Sequence, residues 1–287
     1  MISINREKES QFKEICIRLW RNKAAMFGLF VILLLIITAI FAPLIAPYHY
    51  DMQNLRATNL LPSMKHFMGT DNFGRDIFSR IIYGSRISLQ VGFIAVGIGV
   101  LIGGTLGSLS AYYGGFVDNI IMRFVDVLLA IPSTLLAISI AAALGPGLTN
   151  AMIAVGIGTV PNYARVVRAS VLTVKEQEFI EAARCIGVRD YKIIMKHILP
   201  NAMAPLIVQA TLGVAGAILS AAALSFIGLG IQPPTPEWGA MLSAGRAYIR
   251  DYWHIVTFPG VTIMLTIFSL NLFGDGLRDA LDPRLKR

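Results

Sequence analysis

The chain has 287 residues, of which 55% are hydrophobic and only 15% charged, with a mean hydropathy of +0.64 and a formal net charge of +8. That balance excludes an ordinary soluble domain. The basic residues also sit in short stretches beside apolar runs rather than on one soluble face, which argues against a nucleic-acid partner.

The apolar residues are gathered into charge-free runs, at 24–46, 87–117, 127–164, 198–236 and 255–274. A helix crossing a bilayer core needs about 20 such residues. The 127–164 run is too long for one crossing and divides at Gly145-Pro146-Gly147. Six spans are therefore predicted, at 24–46, 88–112, 120–144, 148–166, 202–230 and 253–274, in an all-α polytopic membrane protein. Most of the 25 Lys and Arg fall in the N-terminal tail, at Arg123, between 163 and 201, and at the C-terminus. An even number of spans puts all of these on one side, which the positive-inside rule makes cytoplasmic, both termini included.

In chain order, a charged tail (1–23) carries Phe12, Ile15, Leu19 and Trp20 at a spacing that suits a helix lying on the membrane surface. The first span (24–46) is read as a retained anchor, since it follows a long charged tail and exceeds a leader's apolar core. An extracytoplasmic segment (47–87) follows. Its latter part holds Gly69-Thr70-Asp71, Gly74-Arg75-Asp76, Ser79-Arg80, Tyr83-Gly84, Arg86 and Ser88, and it ends in an interfacial helix with the apolar stripe Ile77, Phe78, Ile81 and Ile82. Residues 88–274 then form a core of five spans. In its first span, Gly99, Gly103 and Gly107 recur every four residues, a pattern that lets another helix backbone approach closely, within this subunit or in a partner. Arg123 and Asp126 share a helix face and can pair, Pro132 should kink its span, and Gln209 is either a cross-helix bond or part of a polar path.

The cytoplasmic loop 167–201 is the longest charged stretch between two apolar ones. Thr173 and Glu176 fit a capping box, and Phe179, Ala183 and Ile186 form an apolar stripe opposite Lys175, Glu178 and Arg184. Gly187 suits a left-handed helix end, Asp190 can cap a second short helix, and Pro200 starts the next element. The product is a helical hairpin shaped to be gripped from outside the membrane. A proline-stiffened loop (232–239) and a tail (275–287) complete the chain.

Several kinds of chemistry are missing. The sequence has no GxxxxGK[ST] phosphate loop, no metal-ligand cluster among its four histidines, and no nucleophile elbow. Ionisable residues deep in the spans are nearly absent, which argues against an ion-coupled carrier. Cys16 and Cys185 both fall on the expected cytoplasmic side, as reduced thiols. A membrane protein with a cytoplasmic hairpin but neither ion-coupling residues nor a nucleotide site is expected to borrow its energy from a partner.

Glu181-Ala182-Ala183, Gly187, His197 and Leu199-Pro200 resemble the EAA loop of permease subunits of bacterial ABC importers, with His197 standing where that family usually has Ile. The run GTDxxGRDxxSRxxYGxRxSL, the stretch from Gly114 to Pro132, the 232–239 loop and the 274–283 tail resemble the second, C-type permease of the dipeptide/oligopeptide and nickel branch, nearest to dipeptide permeases. The resemblance implies the type I permease fold in a multi-pass bacterial cell-membrane protein. It implies a translocation path shared with a second permease, and one or two separate ATPases that grip the 181–200 loop. An extracytoplasmic binding protein would deliver substrate. ATP and Mg would be bound by the ATPases, so this chain would be neither an enzyme nor a cofactor protein. Peptides are the implied substrate, with glutathione or nickel as alternatives within the family. A stand-alone channel or ion-coupled carrier, and a scaffold that only recruits a protein through the hairpin, are the readings from other classes.

Overall fold

The computed structural model describes residues 13–281. Residues 13–21 form a short helix, α1, in which Ile15 and Leu19 are half-buried and Trp20 is exposed; Phe12 lies outside the described residues. Asn22 caps the next helix, α2 (Lys23–Ile40), by accepting from the Ala25 N–H at 3.1 Å. One further turn, α3 (Ala42–Ile45), leads into an irregular segment that ends at α4 (Ile77–Tyr113). At 37 residues α4 is about 55 Å long. The predicted interfacial helix and second span are therefore one unbroken helix.

The predicted third span is not one helix. α5 (Gly115–Leu129) and α6 (Ser133–Leu144) meet at 87°, because Pro132 has no N–H to continue the α5 ladder and instead occupies the cap of α6. The predicted fourth span also runs on past 166, as α7 (Leu148–Lys175). The remaining long helices are α10 (Leu199–Phe226) and α12 (His254–Leu281), with the short α11 (Trp238–Gly245) between them. Among the described residues, four helical stretches (α2, α4, the 190–226 stretch and α12) are long and apolar enough to cross a membrane, and the bent α5–α6 pair makes a fifth. α7 has the length but not the composition, because it carries Asn150, Asn162, Arg165 and Arg168. No strand forms among the described residues; Thr70 and Asp76 make a single isolated bridge.

The core is organised by small residues. A Cβ added to Gly99 would stand 2.2 Å from the Thr159 hydroxyl, one on Gly103 2.5 Å from the Val160 carbonyl, and one on Gly107 2.3 Å from the Ala164 carbonyl. The four-residue glycine stripe of α4 thus lies against the backbone of α7, within this subunit. α10 closes on the same pair, with Ile218 and Val214 over Gly92. α2 meets α12 in the same manner, through Gly28 against the Ser269 carbonyl and Gly276 against Ala25. Close backbone approach maximises van der Waals contact, which must hold helices together where lipid tails are as apolar as Leu.

The far end of the bundle from the 167–201 loop is locked by a buried polar clamp. The Arg75 guanidinium donates to Asp71 at 2.7 Å, and Arg80 donates to the carbonyls of Tyr50 (2.9 Å) and Pro234 (3.3 Å). Asp76 caps α4, accepting from the Ser79 N–H and hydroxyl at 2.8 and 2.7 Å, and meets the His66 ring at 2.9 Å. Glu237 caps α11 through the Gly239 and Ala240 N–H groups, and burial pushes its carboxyl above the usual range. The Trp238 indole donates to the Ile81 carbonyl at 3.1 Å. All of these charged side chains are buried. The buried charges of the Gly69–Ser88 signature therefore form an internal clamp.

Gly103→Val is expected to cost about 1–3 kcal/mol by overpacking the α4–α7 seam, seen as a lower unfolding temperature of the detergent-purified protein. Gly97→Ala, where an added Cβ meets nothing within 4 Å, should leave that temperature unchanged.

Candidate functional site

The 167–201 loop folds as a hairpin mounted on the end of the α4–α7 seam. Its first arm is α8 (Glu178–Cys185) and its second is α9 (Asp190–Ile193), which passes through a π turn (Ile194–Ile198) into α10. Gly187 adopts φ +74°. The Val188 N–H reaches back to the Ala183 carbonyl at 3.1 Å and the Gly187 N–H to Arg184 at 2.9 Å. That pairing is the Schellman motif, which needs a left-handed residue where Gly187 stands.

Three details of the hairpin differ from the sequence-based expectation. α7 does not stop at Thr173, whose hydroxyl instead bonds the Ala169 carbonyl inside the helix; α8 begins after Gln177 with no side-chain cap. Asp190 lies in the first turn of α9 rather than capping it. The buried face of α8 is Ile180 with Ala183, while Phe179 and Ile186 are exposed, Ile186 by 80%. The helix ends at Cys185, so Ile186 falls in its cap and turns away from the core.

The inner side of the hairpin, Ile180, Ala183, Ile193, Ile194 and Ile198, joins the same apolar core as Val171 of α7 and Tyr112 of α4. Tyr112 is the residue that sequence reasoning missed. Its hydroxyl donates to Asp190 at 2.6 Å, and the Arg184 guanidinium lies 5.2 Å from its ring centre. Lys175 donates to the Ala111 carbonyl at 3.0 Å. Tyr112 at the end of α4 thus meets both arms, and Lys175 holds the end of α7 beside it. The outer side presents Glu181 and Ala182 together with the large apolar groups Phe179, Ile186, Tyr191 and Met195. Exposed apolar groups of this size, rimmed by charge, are the kind of surface that protein or membrane contacts use.

The other expected loop residues lie at the hairpin's root. His197 is half-buried in the π turn, its carbonyl accepting from the Asn201 amide, and Leu199-Pro200 open α10. Beside them α7, α10 and α12 enclose a cavity of about 750 Å³, walled by Val166, Val208 and Leu212 with the polar groups of Ser170, Gln209 and Arg278. Gln209 faces this cavity. Arg123 and Asp126 do not pair; Asp126 is held by Arg165 of α7 at 2.7 Å. Gly99, Gly103 and Gly107 are in the α4–α7 seam that carries the hairpin. Among the described residues, no group of three or more His, Cys, Asp or Glu is placed to hold a metal ion.

Comparison with known proteins gives a consistent picture. Residues 99–287 match the family described as binding-protein-dependent transport system inner membrane component, and residues 10–62 match the N-terminal TM domain of oligopeptide transport permease C. The chain is 52% identical to the dipeptide transport system permease protein DppC of Alkalihalophilus pseudofirmus, over 96% of this chain and 91% of that one. It is 50% identical to the glutathione transport system permease protein GsiD of Escherichia coli O6:K15:H31, over 94% and 89% of the two chains. It is 46% identical to the di/tripeptide permease DppC of Pseudomonas aeruginosa, over 96% and 93%. Among solved structures, a chain of the MetNI methionine ABC transporter in an inward-facing conformation superposes with a TM-score of 0.58 at 20% identity, covering 71% of this chain and 96% of that chain. That likeness shows the fold.

Tyr112→Phe removes a hydrogen bond to a carboxylate and should loosen the hairpin by about 1.5–3 kcal/mol. Gly187→Ala, forced into the left-handed region, should cost about 1–2 kcal/mol. Hydrogen exchange of residues 178–198 in the detergent-purified protein reads both: exchange rises there and not in the α4–α7 seam.

Proposed function

The chain belongs to the family of binding-protein-dependent transport system inner membrane components, multi-pass proteins of the cell membrane, and we propose that it is the permease subunit of an ATP-driven importer of short peptides. The observation that carries this reading is the near full-length match to dipeptide permeases. The exposed apolar side of the hairpin supports it, since that side gives a soluble motor subunit something to hold.

In this reading the translocation path lies between this chain and a second, homologous permease. One or two ATPase subunits grip Glu181, Ala182, Gly187 and the groups around them, while Ala183, His197, Leu199 and Pro200 shape the hairpin from within. ATP and Mg are bound by the ATPases, and this chain holds no cofactor. An extracytoplasmic binding protein presents the substrate. The ATPase pair, on closing over ATP, pulls the hairpin. Because Tyr112 ties the hairpin to the end of α4, and Lys175 holds the end of α7 to α4, the pull reaches the bundle as a tilt of packed helices and is not absorbed in a loose loop. Glutathione is a second substrate to test, because a relative named as its permease is nearly as similar; it is itself a tripeptide.

Affinity purification from solubilised native membranes should recover a homologous permease and P-loop ATPases with this chain, and vesicles holding the complex should accumulate labelled dipeptide with ATP. Recovery of the chain alone as a homo-oligomer would overturn the importer reading. Glu181→Lys should leave the protein in the membrane but reduce ATPase recovery and uptake at least ~10-fold, the effect of a wrong charge in an interface. For orientation, a membrane-impermeant thiol reagent should label Met64→Cys, exposed by 90%, in intact cells. The native Cys185, also exposed, should react only after the membrane is opened.

A further inference from the structure

The bend at Pro132 leaves α5 attached to the bundle mainly by charge. Val125 is its one buried residue among those described. One face carries Phe116, Ile120, Phe124 and Val127, all exposed. The opposite face carries Asp118 and Asp126, which pair with α7. Arg168 forks onto Asp118 at 2.7 and 2.6 Å, and the Ser110 hydroxyl also donates to that carboxylate. Arg165 gives one N–H to Asp126 at 2.7 Å, and both side chains remain about half exposed, 56% and 52%. Between the helices lies a cavity of about 400 Å³ lined by Asp118, Asn119, Met122, Asp126, Arg165 and Arg168.

Arg165 and Arg168 fall in the 163–201 stretch that charge balance makes cytoplasmic, and Asp118 and Asp126 flank Arg123, so these groups face water at the inner end of the bundle, where a substrate would leave. The other face of α5 is mainly apolar, with Asn119 and Arg123 among Phe116, Ile120, Phe124 and Val127. The cavity is within the size range of small-ligand sites. It holds two carboxylates and two guanidiniums, so a simple cation or anion meets as much like charge as opposite charge, whereas a zwitterion can satisfy both. Asp118 and Asp126 are eight residues apart, about 12 Å along the helix. An extended peptide covers about 3.3–3.6 Å per residue, so three or four residues span that length, while a dipeptide, at about 7 Å, sets its two ends on groups within it. An exposed ion pair contributes little to stability, so Asp126 and Arg165 can exchange each other for the ends of a peptide and back again. Weak, reversible holding is what a passage site requires.

We propose that the α5–α7 cavity is a docking site on the translocation route for the zwitterionic backbone of short peptides, with the ammonium taken by Asp126 or Asp118 and the carboxylate by Arg165 or Arg168. This rests on the peptide-import reading and goes beyond it by naming the groups that touch the substrate. It reads the peptide's ends and ignores its side chains.

The test uses the purified complex of this chain with its permease and ATPase partners in proteoliposomes. The probe is alanyl-p-benzoylphenylalanine, a zwitterionic dipeptide with a photoreactive ring. Illumination should label residues 115–129 or 161–170, Met122 above all. Excess dialanine should protect, and N-acetyl-dialanine amide, which has no charged ends, should not. The double variant Asp126→Asn with Arg165→Gln alters the exposed pair and spares the partly buried one, so the complex should still assemble. Its labelling and its dipeptide uptake should fall at least ~10-fold, the loss expected for one charge-assisted contact. Label confined to other segments, equal protection by the blocked peptide, or wild-type labelling of the double variant would overturn the docking site. Uptake of dipeptide without label in these segments removes the docking site alone. If wild-type complex accumulates no dipeptide with ATP, the import reading fails and the docking site with it.

Discussion

The contact on which the rest of the structure depends is the backbone-to-backbone approach of α4 and α7 through Gly99, Gly103 and Gly107. No side chain larger than hydrogen fits at these three positions without displacing the α7 backbone or the Thr159 and Tyr163 side chains. In a bilayer this closeness replaces the hydrophobic effect as the source of helix adhesion. It also sets the distance between the two helix ends, which Lys175 joins and from which Tyr112 projects toward the hairpin. The same seam therefore fixes the core and aims the surface that a partner would hold. A looser pairing would weaken both at once.

The two ends of the bundle are finished by different physics. At the hairpin, apolar packing on the inside is combined with apolar exposure on the outside, and only a few polar bonds fix its orientation. At the other end, Asp71, Arg75, Asp76, Arg80 and Glu237 are buried, and each has hydrogen-bond partners. A buried ionic network costs more to assemble than an apolar plug but has fewer alternative arrangements. It suits an irregular segment that has little regular secondary structure to hold it in place. The segment from Tyr48 to Asp76 is such a case, tied to α4 and to α12 by bonds from residues far apart in sequence.

Much of this could be read from the amino acids, and the failures have specific causes. The apolar runs, the glycine spacing in α4 and the helix end at Gly187 were visible because each depends on local chemistry. The true end of α7 was not. Between Pro161 and Gly187 the chain contains no Pro or Gly, so nothing stops the helix at a capping box that is merely present. The buried face of α8 was misplaced because a helix with apolar groups on both its packing side and its outer side has no single period to find. Tyr112 with Asp190, and Asp126 with Arg165, join positions 78 and 39 residues apart. Sequence spacing carries no trace of such pairs.

The π turn at 194–198 has a consequence of its own. The Leu199 N–H bonds the Ile194 carbonyl, five residues back instead of four, so this turn holds one residue more than an α-helix would. Each residue of an α-helix advances the azimuth by about 100°. That extra residue therefore sets the phase between the hairpin and α10, as an added tooth sets the angle between two meshed gears. Removing any one residue from the turn would restore a regular ladder and rotate everything before it by roughly that angle. Phe179, Ile186 and Tyr191 would then face a different direction with their own sequence unchanged. The identity of the residues in this turn matters less to the direction of the docking face than their number.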